Sequence, residues 1–340
     1  MAPMVPTVDV APLFAGGQAA HAAVDARIAA AAAETGFLSI VGLGAQAPLG
    51  PAARAALLAI FALEPEAQRR LWRRKFAPGN ANLYRGFFPP QPGNVTLKEG
   101  IDLGPDVLYG PRVTRADDPL REPTPLPQEA ELPGWRAAVA AYYGAMERVA
   151  RALMQSIARG LGLAPDYFDA AFHEGLSTLR LLRYPARDEA ELARCAAPGV
   201  WVEYGGARRY LTGAAHTDSG FLTLLAQDGV PGLQARARDG SWADVPPEEG
   251  ALAVNFGQVL ERWSGGRIRA TEHRVIGSGA ERHSIPFFYE ARADAEIRPL
   301  PQDDPASFAP FCYGDHLWAR MTGFVEFRGM ERERQVHPGR

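Results

Sequence analysis

Two hydrophobic periods divide this chain. Up to about residue 176 apolar positions recur mainly at helical spacing, and from Ser177 onward they gather into short blocks rich in β-branched, leucine or aromatic residues. The clearest helical stripe is Trp135, Val139, Tyr142, Met146, Val149, Leu153 and Ile157, placed after Pro133 and before Gly160 and Gly162. Its alternating steps of four and three predict a long helix with one buried face. An alanine-rich stretch from Ala19 to Glu34, closed by Gly36, predicts another helix. Residues 7–10 and Phe37–Val41 predict strands on either side of it, and Pro51–Ala62 and Glu66–Phe76 read as further helices. Pro78, Gly79 and Asn80, then Phe87-Phe88-Pro89-Pro90-Gln91-Pro92-Gly93, open an irregular region extending to about residue 132. A loop of that length inside a compact fold is more often functional than idle.

In the second half, strands are predicted around 178–183, 212–217, 221–226, 232–237, 242–245, 251–256, 272–276 and 282–289, with Asp239-Gly240 marking a hairpin. Short strands behind a helical half indicate an α+β fold, a distorted double-stranded β-helix (jelly roll) with helices packed on its outside. The expected organisation is a helix-rich region 1–176 with a pocket-covering loop, a jelly-roll core 177–295, and a C-terminal helix and charged tail 296–340, all one compact unit.

Composition narrows the function classes. With 340 residues, 47% hydrophobic content and 22% charged content, the chain has enough apolar material for a sizeable core. A net charge of −3 gives no footprint for nucleic acid or an acidic membrane. The one basic run, Arg69-Arg70-Leu71-Trp72-Arg73-Arg74-Lys75, reads as a solvated helix face with Leu71 and Trp72 turned inward. Two cysteines, Cys195 and Cys312, provide neither a disulfide framework nor a C-x-x-C motif. The N-terminus lacks a signal-peptide pattern and no apolar run reaches membrane-spanning length, so a cytoplasmic protein, monomeric by default, is expected. Gly42-Leu43-Gly44-Ala45-Gln46-Ala47 has the letters of a dinucleotide fingerprint, but Pro48 and Pro51 delay the helix that must receive the phosphates, so it reads as a turn.

The chemistry concentrates in three places. In an extended strand His216 and Asp218 share a face and can share a metal ion. His273 lies in a second predicted strand and supplies a third ligand, completing the two-histidine, one-carboxylate set of non-heme iron(II), which zinc can also occupy. Nine residues later, Arg282-His283-Ser284 turns Arg282 and Ser284 to one face and His283 to the other, so a guanidinium and a hydroxyl form a carboxylate clamp. Arg180 and Arg320 are expected in surface ion pairs, and His21, His173, His316 and His337 in surface or capping roles.

These residues stand within longer blocks: Glu34-Thr35-Gly36-Phe37, Tyr84-Arg85-Gly86-Phe87-Phe88-Pro89, Lys98-Glu99-Gly100-Ile101-Asp102, Leu179-Arg180-Leu181-Leu182-Arg183-Tyr184-Pro185, His216-Thr217-Asp218-Ser219-Gly220-Phe221-Leu222-Thr223-Leu224-Leu225, Val254-Asn255-Phe256-Gly257 and Glu272-His273-Arg274-Val275. In these blocks and their order the chain resembles the isopenicillin N synthase-like branch of the iron(II) and 2-oxoglutarate-dependent oxygenases. The resemblance implies iron(II) on His216, Asp218 and His273, and the distal carboxylate of 2-oxoglutarate on Arg282 and Ser284 with Tyr184 as a further donor. It implies an oxygenase that uses O2 and 2-oxoglutarate to hydroxylate, desaturate or cyclise a small molecule. It also implies that Tyr84, Arg85, Phe87, Phe221 and Phe288 lie near the substrate. Some members of this branch use no 2-oxoglutarate and hold the substrate's own carboxylate in the corresponding clamp, so an oxidase of that type is an alternative. A non-catalytic jelly-roll binding protein is the alternative of another class.

Overall fold

The change of period at Ser177 corresponds to a change of architecture. The computed structural model describes residues 5–15, 17–90, 96, 98–188, 190, 192, 200–324 and 327–334. Cys195, His337 and Gln91-Pro92-Gly93 of the irregular region lie outside them. The strands are β1 (Thr7–Asp9), β2 (Phe37–Val41), β3 (Gly86–Phe88), β4 (Glu99–Leu103), β5 (Thr178–Tyr184), β6 (Trp201–Tyr204), β7 (Ala207–His216), β8 (Leu222–Gln227), β9 (Leu233–Arg236), β10 (Trp242–Asp244), β11 (Leu252–Phe256), β12 (His273–Ile276), β13 (Arg282–Tyr289), β14 (Glu296–Ile297) and β15 (Phe311–Cys312). A major sheet runs β1-β2-β11-β8-β13-β5-β4-β3 and a minor one β10-β9-β12-β7-β6, the two facing layers of a jelly roll. β14 and β15 pair with each other ahead of a C-terminal helix, Tyr313–Met321.

The long helix spans Trp135–Gly160, and every residue of the predicted stripe is buried. It covers the outer face of the major sheet. Tyr143 packs edge-on against Phe287 of β13 at 5.0 Å, and its hydroxyl donates to the Ser177 carbonyl at 2.8 Å. Alternation along β13 therefore sends Phe287 to the helix and Arg282, Ser284, Pro286 and Phe288 to the opposite, cavity-lining face. The helix Gln18–Glu34 ends where expected, because Gly36 has φ +65° and a Cβ there would lie 2.3 Å from the Arg269 carbonyl oxygen.

Three expectations need correction. The irregular region between Phe87 and residue 132 contains β3 and β4, which extend the major sheet beyond β5. β7 begins five residues earlier than predicted and pairs with the unpredicted β6. The helix expected over Glu66–Phe76 covers only Pro65–Arg70. Beyond it Trp72 bridges to Phe87, and the Arg73 amide donates to the Phe87 carbonyl at 2.9 Å. Leaving the helix turns Arg73 inward, where it is 1% exposed, so the basic run is not a uniformly solvated face.

Candidate active site

β7 ends at His216, and the chain passes through Thr217 and Asp218 before β8 begins at Leu222. Asp218 therefore lies two residues beyond the strand, and this turn, rather than strand alternation, brings it beside His216. β12 pairs with β7 so that His273 is the cross-strand partner of His216, with ring centroids 4.3 Å apart. The Nε2 atoms of His216 and His273 lie 3.7 and 3.8 Å from Asp218 Oδ1. Among the described residues these three form the one cluster able to offer a metal ion three ligand atoms, all within 4.8 Å of one another.

Surrounding groups fix the orientation of each ligand atom. Nδ1 of His216 donates to the Ala214 carbonyl at 2.8 Å, and Nδ1 of His273 to the Thr271 carbonyl at 3.1 Å. A carbonyl only accepts, so each ring carries its proton on Nδ1 and presents the Nε2 lone pair. Asp218 Oδ2 accepts from Thr223 Oγ1 at 2.6 Å and from Asn255 Nδ2 at 2.7 Å, which leaves Oδ1 facing the histidines. Burial pushes the Asp218 carboxyl up, but His273, His216 and these two hydrogen bonds outweigh it and hold the group below the usual range. Desolvation, reinforced by His273, lowers His216, which favours the neutral ring that a metal requires.

A cavity of about 430 Å³ opens over this cluster, within the range for small-molecule sites. Arg282, Ser284 and Tyr184 line it, while His283 turns away toward Asp228. Arg282 and Tyr184 are cross-strand partners, and the guanidinium carbon lies 5.5 Å from the tyrosine ring centroid. Arg282 is 3% exposed, yet its Nε, Nη1 and Nη2 have no hydrogen-bond partner among the described residues. A buried guanidinium whose three nitrogens are all unanswered fits a carboxylate ligand, because it is costly until an anion arrives.

Of the residues expected near substrate, Tyr84, Phe221 and Phe288 line the cavity. Arg85 and Phe87 do not. Arg85 is fully buried, donating to Thr178 Oγ1 and the Leu176 carbonyl, and Phe87 packs against Phe61 beneath the sheet. Arg180 is not in a surface pair either: it lines the cavity and donates from Nε and Nη2 to the buried Asp102 at 2.6 and 2.8 Å. Arg320 donates from Nη2 to the side-chain oxygen of Gln258 at 2.7 Å, and His316 is half-buried, its ring 5.2 Å from that of Phe311.

Sequence reasoning assigned no role to Thr223, Asn255, Lys98, Arg73 or Glu290, all of which line the cavity. A polar residue in the middle of a buried strand, as Asn255 is, was the available signal. Burial, and after it the charge of Asp218, push the Glu290 carboxyl well above its usual range, and the Tyr313 hydroxyl hydrogen-bonds to it.

Comparison with known proteins agrees with this geometry. A sequence profile of the 2OG-Fe(II) oxygenase superfamily matches residues 167–291. A 2-oxoglutarate-dependent dioxygenase of Monascus ruber is 31% identical over 309 residues, 87% of this chain and 87% of that protein. The chain belongs to the 2OG-Fe(II) oxygenase superfamily. The isopenicillin N synthase of Streptomyces clavuligerus is 28% identical to this oxygenase over 332 residues, 96% of this chain and 97% of that one. The solved structure of full-length Neurospora crassa T7H in complex with alpha-ketoglutarate and 5-formyluracil matches it at a TM-score of 0.75 and 25% identity, covering 94% of this chain and 96% of that one. The oxygenase is thus a non-heme iron(II) oxidoreductase, a dioxygenase that uses 2-oxoglutarate and O2 and has the jelly-roll fold. No helix among its described residues is long and apolar enough to cross a membrane.

Proposed function

We propose that His216, Asp218 and His273 hold iron(II), that Arg282, Ser284 and Tyr184 receive the distal carboxylate of 2-oxoglutarate, and that the oxygenase hydroxylates, desaturates or cyclises a small molecule. The buried Arg282 guanidinium, unpartnered in the cavity that contains the two histidines and the aspartate, carries this reading. Iron(II) held there would activate O2, and 2-oxoglutarate, oxidised to succinate and CO2, would supply half of the electrons that O2 takes up, the other half coming from the substrate. The protein's own contribution is positional. The carbonyls of Ala214 and Thr271 fix the two rings, and Thr223 and Asn255 occupy one oxygen of Asp218 so that the other faces the metal position. Tyr84, Phe221 and Phe288 face the substrate, and the apolar cavity walls limit water around the reacting centre. A near absence of cysteines supports a reducing, cytoplasmic setting.

Anaerobic titration with iron(II) followed by metal analysis tests the ligand assignment. Wild type should retain one iron per chain, and His216→Ala, Asp218→Ala and His273→Ala should each lose it together with oxygen-dependent succinate formation. Retention of iron and succinate formation by His216→Ala would overturn the assignment. Oxygen consumption with a substrate but without 2-oxoglutarate would favour the oxidase alternative, in which the substrate carboxylate fills the clamp.

A further inference from the structure

The wall of the cavity contains a carboxyl group that neither the iron nor the oxoacid position uses. The alternation that turns Arg282, Ser284, Pro286 and Phe288 inward continues one step past β13 to Glu290, which lines the cavity at the far end of that strand from the clamp. Its amide donates to Ser177 Oγ at 3.3 Å, which fixes the backbone there. Gly220 makes room for the side chain, since a Cβ on that residue would lie 2.4 Å from Glu290 Oε1 and 2.6 Å from Oε2. The carboxyl therefore stands against the turn that carries Asp218.

Its two oxygens differ. Tyr313, at the start of the C-terminal helix, donates its hydroxyl to Oε2, and the tyrosine ring packs on Phe221 with centroids 4.7 Å apart. Oε1 has no hydrogen-bond partner among the described residues, and none of their basic side chains pairs with the group. Arg85, whose charge bears on it, is directed to Thr178 Oγ1 and the Leu176 carbonyl. A carboxyl that is 8% exposed and has no cation beside it keeps its proton, because ionising it there costs desolvation energy. Burial and the charge of Asp218 act in that direction. With Oε2 accepting from Tyr313, the proton belongs on Oε1, which becomes a donor for whatever enters the cavity. Phe221, Phe288 and Leu317 line the same cavity, so the donor suits an uncharged acceptor on an apolar molecule.

We propose that Glu290 is a specificity-determining residue, and that the substrate is an uncharged molecule with an apolar body whose carbonyl oxygen accepts a hydrogen bond from Glu290 Oε1. Tyr313 is the positioning residue that holds the other oxygen. This inference rests on the proposed iron and oxoacid positions, because it assigns the clamp to 2-oxoglutarate and leaves the far end of β13 to substrate.

The test uses the full chain loaded anaerobically with iron(II) and 2-oxoglutarate, and three probes of one skeleton: 4-phenyl-2-butanone, butylbenzene and 4-phenyl-2-butylamine. Binding is read by calorimetry and by the shift of the visible charge-transfer band of the chelated oxoacid. Glu290→Met should weaken the ketone roughly three- to tenfold, the scale of one neutral hydrogen bond, and leave butylbenzene unchanged. Glu290→Gln should keep most of the ketone affinity, because its amide still accepts from Tyr313 and donates to the carbonyl. The infrared carbonyl stretch of the carbon-13-labelled ketone should fall on binding to wild type and Glu290→Gln but not to Glu290→Met, a change that a merely structural role would not produce. The band reports that each variant is folded and loaded. If Glu290→Met does not form it, Tyr313→Phe decides, with weaker ketone binding and a smaller shift of the stretch expected and no change in either overturning the proposal. Absence of the band in wild type would overturn the underlying site reading and this inference with it. Where the band forms, the carbonyl proposal falls alone if the ketone does not bind, if its affinity and stretch are the same in wild type and Glu290→Met, or if the amine binds more tightly than the ketone and Glu290→Gln abolishes that binding.

Discussion

Buried arginine is handled in opposite ways at the two ends of the cavity. At one end Arg282 is 3% exposed, and its three nitrogens have no partner among the described residues. At the other, Arg73 and Arg180 share the carboxylate of Asp102 across the β4–β5 pairing. A buried charge without a partner is costly to the free protein, whereas one held by a carboxylate is part of the scaffold. The contrast assigns different roles to the same residue type: Arg282 as a receptor awaiting a carboxylate, and the Arg73–Asp102–Arg180 group as part of the framework of the cavity wall.

Substitutions at the two ends should therefore differ in sign. Asp102→Asn takes the carboxylate charge from the buried Arg73 and the half-buried Arg180 and should lower the unfolding free energy by about 3–5 kcal/mol, measured by urea denaturation. Arg282→Met removes an unanswered charge, so the protein without ligands should be as stable as wild type or more so, by thermal melting, while 2-oxoglutarate binding weakens about a hundredfold. Destabilisation by Arg282→Met comparable to that of Asp102→Asn would remove the distinction.

Acid sharpens the same comparison. Burial raises the Asp102 carboxyl, but Arg180 and Arg73 outweigh it and hold the group at about 2. A carboxyl depressed on folding contributes stability that is full above its unfolded value near 4 and is lost as pH falls through about 2, here about 2 kcal/mol. The difference in urea midpoint between wild type and Asp102→Asn should accordingly be large at pH 5 and shrink toward pH 2. The smallest effect belongs to the iron cluster, where Asn255→Ala removes one of the two donors on Asp218 Oδ2. Iron affinity should fall roughly 10- to 100-fold, by competition with a chelator, with stability little changed.

What was legible in the sequence follows the same physics. The spacing of Trp135 through Ile157 predicts the long helix because its burial is periodic and local, and the alternation at Arg282-His283-Ser284 places two side chains in the cavity and one outside it because β13 is a regular strand. The arrangement of His216 and Asp218 was anticipated for an incomplete reason, since the strand stops at His216 and a turn carries the aspartate. Arg73 sits in a run of basic residues of which Arg69 and Arg70 are exposed and Arg74 half-buried, and only the early end of the helix at Arg70 turns it inward. Its partner Asp102 lies in a strand hidden within a stretch rich in proline and glycine. Pairings of this kind are set by tertiary contacts between distant segments, which local pattern does not encode. The support of Asp218 by Thr223 and Asn255 has the same origin, joining β8 and β11 to the turn after β7.

The central claim is that the unpartnered Arg282 guanidinium receives 2-oxoglutarate beside the iron cluster. Anaerobic titration of 2-oxoglutarate into the iron(II)-loaded protein, followed by the visible charge-transfer band, tests it most directly when wild type and Arg282→Met are compared at equal iron content. The predicted result is a band in both proteins, with the midpoint in the variant shifted about a hundredfold to higher 2-oxoglutarate. Identical midpoints, or no band in iron-loaded wild type, would contradict the account.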